Sequence, residues 1–167
     1  MIKIVGAKGN ISNVEDFLTR INDLIEEKKI EIQVFNADMI YGKNHLISAT
    51  EHAIRSIYQD KNTTNSLGME ILLYASGERQ LKIAIPKIGV KKGKGNIAFV
   101  FIADSIPNNL INSILKDIDL ERDDKVLEGD INTLKKFGLK DIEISTVSEN
   151  EYEDLILEKV AMVDLIK

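Results

Sequence analysis

The stretch Asn96-Ile97-Ala98-Phe99-Val100-Phe101-Ile102-Ala103 most constrains how this chain can fold, because almost every side chain in it is apolar. Successive residues of a strand point to opposite faces, so such a run needs cover on both sides. It belongs at the centre of a sheet with helices above and below. It is also far too short for the ~20 apolar residues that cross a bilayer, and no other run comes closer. The covering layers are written elsewhere in the chain. Val14, Phe17, Leu18, Ile21, Leu24 and Ile25 recur at spacings of three and four, predicting a helix from about residue 13 to 28. Ser12 and Glu15 are spaced as its capping box. A second stripe, Leu46, Ala49, Ala53, Ile54 and Ile57, predicts a helix over about 43–58.

Further strands are expected at Ile2–Val5, closed by Gly6, and at Ile30–Phe35, which alternates apolar with polar residues. Ile142–Val147 alternates in the same way and is also assigned to a strand. The run Ile71–Tyr74 fits a buried strand, but Asn65 or Ser66 can cap a helix there and Gly77 can end it. A helix is the preferred reading. Leu81, Ala84, Ile85 and Ile88 stripe the next helix, with Pro86 shortening or kinking it and Gly89 stopping it. Helices are also expected over about 107–118, over about 132–137, and from the Ser148/Glu151 capping box to the end of the chain. With 167 residues and no repeat or linker, the expectation is a single domain spanning residues 1–167. Its class is α/β (α+β), a mixed central sheet of about four strands with helices packed around it. Strand order stays open.

The chain has no cysteine, which excludes disulfides, zinc–thiolate sites, iron–sulfur clusters and cysteine nucleophiles. Its start, MIKIVGAKGN, lacks the apolar core of a secretory signal, so a cytoplasmic protein is expected. The net charge of −5 argues against indiscriminate coating of nucleic acid. That average conceals an asymmetry. Between Arg79 and Ala103 there are basic residues at Arg79, Lys82, Lys87, Lys91, Lys92 and Lys94 and no acid, whereas the segment after Asp117 is strongly acidic. One basic surface on an acidic protein suits a local phosphate or nucleic-acid contact, but charge alone favours a solvated helix face followed by a lysine-bearing loop.

Self-contained catalytic motifs are missing. Gly89-Val90-Lys91-Lys92-Gly93-Lys94-Gly95 lacks the spacing of a phosphate-binding loop, and Gly95 stands where the magnesium-binding hydroxyl belongs. No glycine-rich dinucleotide fingerprint follows the first strand. His45 and His52 are seven residues apart on one predicted helix, about 10.5 Å of rise, too far to share a metal ion. No metal, cofactor or small-molecule substrate is expected. The competing enzyme reading needs a pocket that gathers His45 or His52 with Asp38 or Glu51.

The unusual segment is Asn65-Ser66-Leu67-Gly68-Met69-Glu70-Ile71-Leu72-Leu73-Tyr74-Ala75-Ser76-Gly77-Glu78-Arg79-Gln80. Glu70 falls on or near its apolar stripe, where a lone carboxylate is costly unless paired, and Arg79 is the partner expected. Alternatively the Ala75-Ser76-Gly77 corner opens backbone N–H groups beside Arg79 and Gln80 to a phosphate or a base edge. Together with Phe35-Asn36-Ala37, the helix His45–Ile57, Ala84-Ile85 and Gly89, this segment resembles the PRPK-binding (CGI-type) protein family. Those are the small kinase-binding subunits of the KEOPS complex, and the resemblance covers most of the chain. Pro86 and the Lys91–Gly95 loop have no clear match.

The resemblance implies a non-catalytic subunit of an assembly that transfers a threonylcarbamoyl group to tRNA. Such a subunit binds and regulates a small PRPK-type kinase/ATPase and is implicated in holding the single-stranded tRNA 3′ CCA end. For the RNA contact the candidates are Arg79, Gln80, Lys82, Lys91, Lys92 and Lys94, with Ser76 and Gly77 giving backbone access. Tyr74 is either a base-stacking residue or core. For the kinase, the segment Leu155–Ile166 holds more apolar residues than one helix face can bury, and Val160, Met162, Val163 and Ile166 are the expected contacts. The same four could instead close the protein's own core. A purely protein-binding adaptor, whose lysines are only a solvated face, is the remaining alternative.

Overall fold

The computed structural model describes all 167 residues. The apolar run occupies strand β3 (Gly93–Ile102), which lies between β2 (Glu31–Asn36) and β1 (Ile2–Ile11). A two-residue strand β4 (Glu121–Arg122) completes the order β2-β3-β1-β4. Every pairing is antiparallel, so the four-stranded α+β architecture is as expected while the mixed sheet is corrected. Phe99 pairs with Val5 on one side and Val34 on the other, and Ala98 pairs with Gly6 and Phe35.

The two faces of the sheet carry separate cores, as a doubly apolar central strand requires. Val5, Ile32, Val34, Ile97, Phe99 and Phe101 pack with α1 (Val14–Lys28) and α5 (Asn108–Asp117) through Ile21, Leu24, Ile111 and Ile114. Ile4, Phe35, Ala98 and Val100 face the other way. There they meet α2 (Gly42–Tyr58), α3 (Leu67–Ser76), α4 (Leu81–Ile88), α6 (Ile131–Phe137) and α8 (Tyr152–Ile166). Helix α3 is central to this layer: Glu70 through Ser76 are all buried, which settles the helix-or-strand ambiguity in favour of a helix apolar all round. Ser66 caps it through the Met69 N–H, and Gly77 ends it in the left-handed region at φ +71°.

Three local readings change. Gly6 does not close β1, which continues to Ile11. Its missing side chain lets residues 123–126 pack onto the strand, since a Cβ there would lie 2.6 Å from the Asp123 carbonyl oxygen. The Gly6 N–H donates to Asp124 Oδ1 at 2.9 Å and its carbonyl accepts from the Asp123 N–H at 2.9 Å. Asn13, not Ser12, caps α1. The alternating segment after residue 141 is the short helix α7 (Asp141–Ile144), not a strand. Ser145 and Thr146 turn their hydroxyls back onto the carbonyls of Ile142 and Glu143 there, and Ile142 is left 74% exposed. No helix is long and apolar enough to cross a membrane.

Candidate functional site

The corner after α3 is the end of one helix and the start of another. The Gly77 N–H donates to the Tyr74 carbonyl at 3.1 Å, closing α3. Ser76 is fully buried; its hydroxyl donates to the Leu73 carbonyl at 2.7 Å and accepts from the Glu78 N–H at 3.1 Å. Ser76 therefore shapes the corner and offers nothing to a ligand, which corrects its assignment as an access point. Gln80 stands at the start of α4 without a side-chain cap, so the first N–H groups of that helix have no partner within it. Arg79, Gln80 and Lys82 are exposed around this end. Arg79 and Lys82 form none of the protein's ion pairs. Glu78 is taken by Lys87 at 3.1 Å, whose ammonium lies 4.1 Å from the Phe137 ring centroid. Gly77, Lys87, Lys136, Phe137 and Lys159 line a cavity of about 470 Å³ behind the corner.

Lys91, Lys92 and Lys94 are exposed at the opposite end of α4. Lys91 donates to the Pro86 carbonyl at 2.5 Å, folding back over the end of the helix. Lys94 lies within β3, so the lysine-bearing loop is shorter than expected. Eight helical residues separate the groups by about 12 Å, so the cations form two clusters rather than one patch. Lys8 lies near Lys94 but is paired with Asp123 at 3.6 Å; with Gly9, Lys94, Gly95, Asn96 and Glu121 it lines a cavity of about 480 Å³. That neighbour depends on the β1–β3 register, which no local pattern at Lys8 reveals.

Helix α8 divides the expected contact residues. Val160 and Val163 are fully buried in the larger core, so they are corrected from partner contacts to core residues. Met162 and Ile166 are 40% and 41% exposed, and Leu165, absent from the expected set, is 81% exposed. The helical period explains the division. Ile156, Val160 and Val163 face inward, and Met162, Leu165 and Ile166, spaced by three and four, share the outer face.

Glu70 is fully buried, and its partner is Lys167 at 2.5 Å rather than Arg79. The carboxylate also accepts from the Thr63 N–H at 3.2 Å and the Thr64 N–H at 3.0 Å. Burial pushes the Glu70 carboxyl up, but Lys167 and the two amides together hold it below the ordinary carboxylate range. Tyr74 is core: its ring is buried and its hydroxyl donates to Asp164, so it stacks on no base. The His52 Nδ1 lies 2.9 Å from Asp164 Oδ2, and its ring stacks on Tyr74 at 5.5 Å.

His45 is fully buried. Its Nδ1 accepts from the Tyr41 N–H at 3.0 Å and its Nε2–H donates to the Ala75 carbonyl at 2.8 Å, which fixes the neutral tautomer. Burial lowers its pKa to about 4. Neither nitrogen is free for proton transfer, and no carboxylate touches the ring. Asp38 lines two shallow cavities that contain neither histidine. The pocket that the enzyme reading asked for is not formed at either of them. No cluster of histidine and carboxylate side chains has metal-holding geometry.

The chain is 34% identical over 148 residues to the "Regulatory protein Cgi121" of Methanocaldococcus jannaschii, covering 89% of this chain and 93% of that protein. It is 32% identical over 80 residues to the "KEOPS complex subunit Cgi121" of Pyrococcus abyssi, covering 47% of each. The sequence profile of the kinase binding protein CGI-121 family matches residues 9–164, which takes in the Gly77 corner, Lys91, Lys92 and Lys94, and α8 as far as Asp164. The chain belongs to the kinase binding protein CGI-121 family.

Proposed function

We propose that this protein is a non-catalytic subunit of a KEOPS-type assembly that makes threonylcarbamoyladenosine in tRNA, docking a small PRPK-type kinase on α8 and the tRNA 3′ CCA end around α4. Family membership and the name of the Pyrococcus abyssi relative, a KEOPS complex subunit, support the assembly. The observation that carries the docking surface is the outer face of α8, where Met162, Leu165 and Ile166 lie exposed on one helical face. Apolar side chains grouped in this way mark contact sites. Arg79, Lys82, Lys91, Lys92 and Lys94 form none of the protein's ion pairs, and of the five only Lys91 is engaged within the chain, by the Pro86 carbonyl. Gly77 supports the RNA reading by keeping the corner free of a side chain.

Two measurements test the two halves separately. Leu165→Asp is expected to weaken kinase binding by about 30-fold or more, the effect of removing a central apolar anchor. Ile54→Asp, a control at an exposed position of another helix, should leave it unchanged. Equal loss in both, or in neither, refutes the α8 surface. For RNA, the chain is titrated with labelled tRNA, intact and trimmed of its CCA end, at several salt concentrations. Each phosphate contact on a single strand contributes roughly 0.7 to the salt slope. Engagement of Arg79 and Lys82 alone gives a slope of about −1.4, and engagement of both clusters gives about −3.5. Binding should fall on trimming and with Arg79→Glu. Equal binding to both RNAs, or none, leaves a kinase-binding adaptor without an RNA contact.

A further inference from the structure

The exposed pair Leu165–Ile166 lies between two anchors on the same helical turn. Asp164 accepts from the Tyr74 hydroxyl and meets His52, both on the core side. Lys167 reaches Glu70 Oε1 at 2.5 Å and Ser56 Oγ at 2.6 Å, with its ammonium 4.6 Å from the Tyr74 ring centroid. The Lys167 side chain is only 8% exposed, and Glu70 beneath it is fully buried. The same carboxylate holds the polar loop between α2 and α3 through the Thr63 and Thr64 amides and the Thr64 hydroxyl at 3.1 Å. One buried charge thus fastens two segments far apart in sequence.

We infer that Glu70 is a positioning residue that couples the loop at residues 60–65 to the apolar docking face at the end of α8. This rests on the proposed kinase-docking surface. Two physical facts carry it. The last turn of a helix lacks the full set of intrahelical hydrogen bonds, so its order depends on what its side chains hold. A buried carboxylate that loses its only cationic partner is costly, so releasing Lys167 must also disturb the remaining donors of Glu70. The loop and the docking turn therefore order or loosen together, and a kinase that grips Leu165 and Ile166 should tighten Thr63 and Thr64, which lie outside the gripped face.

Hydrogen exchange on the full chain tests this, with Glu70→Gln and Lys167→Met as separate perturbations, each checked for native circular dichroism. In the free protein, Lys167→Met is expected to speed exchange at Thr63 and Thr64 roughly ten-fold, and Glu70→Gln to do the same at residues 164–167. Adding the cognate kinase should slow the loop amides in the unaltered chain and leave them unchanged in Lys167→Met. A merely structural role would loosen each variant only around its own substitution, and that local pattern overturns the inference. So does a loop unaffected by kinase in the unaltered chain. If Leu165→Asp binds kinase normally, the docking surface fails instead, and the reciprocal exchange in the free protein still decides the coupling.

Discussion

Lowering the pH from 7 to 5 should destabilise this protein chiefly through His45. The ring is buried, its Nδ1 already accepts from the Tyr41 N–H, and a proton placed there would face a donor. Burial is the main reason its pKa falls from 6.5 to about 4; the Ala75 carbonyl opposes the fall and nearby Lys87 adds to it. In the unfolded chain the imidazole recovers its ordinary value. Between these two pKa values the unfolded state binds the extra proton, so stability falls as pH falls through that window and is fully present above it. At 1.36 kcal/mol per unit, the whole gap is worth about 3 kcal/mol, of which about 2 kcal/mol is lost by pH 5. With a urea dependence of about 2 kcal/mol per molar, the midpoint should drop by about 1 M between pH 7 and pH 5. Glu70, Asp124 and Asp164 are all held below their ordinary values, so their contributions are lost only at lower pH. His45→Gln should be less stable at pH 7 and should lose most of the slope above pH 5. A midpoint in the unaltered chain that stays constant from pH 7 to pH 5, or a His45 ring proton titrating near 6.5 by NMR, would refute the reasoning.

Two glycines should respond to alanine for opposite reasons. Gly6→Ala places a Cβ 2.6 Å from the Asp123 carbonyl oxygen and 2.7 Å from Val126 Cγ2, and should cost about 1–3 kcal/mol in chemical denaturation. Gly77→Ala meets only ordinary contacts at 3.5 Å, so its cost is that of the left-handed backbone, about 1 kcal/mol, with the fold retained. Phe99→Ala empties the centre of the sheet beside Phe101, whose ring stacks on it at 5.5 Å, and should cost about 3–5 kcal/mol.

The parts of the fold legible in the sequence are those in which one physical signal acts alone. β3 is recognisable because its side chains are apolar on both faces, and α1 and α2 because their stripes keep the helical period. The misread parts are those decided by partners elsewhere in the chain or carried by a pattern too short to choose between strand and helix. Glycine at position 6 reads as a terminator in the sequence, but its role is to admit residues 123–126 against the strand. β4 is two exposed polar residues, Glu121 and Arg122, and carries no apolar signal at all. The Ile142–Val147 alternation is a short pattern satisfied equally by α7, because hydroxyls at Ser145 and Thr146 bond back along the chain.

The site divides along the same line. That α8 had surplus apolar residues followed from counting; which of them face outward followed from helical phase, which places Val160 and Val163 on one side and Met162, Leu165 and Ile166 on the other. Applying that period to the segment would have named Leu165. A carboxylate on the apolar stripe at Glu70 must be paired, and that requirement is met. Arg79 was the near cation in sequence, yet it lies beyond the Gly77 turn, and Lys167 arrives from the far end of the chain. The consequence for function is specific. Because Lys167 rather than Arg79 neutralises Glu70, the guanidinium at the corner remains in solvent without an acidic partner. The ion pair is instead invested in the turn that presents Leu165 and Ile166. The Lys167–Glu70 pair thus bears on both proposed surfaces: it leaves Arg79 without an acidic partner at the corner and anchors the turn that carries Leu165 and Ile166.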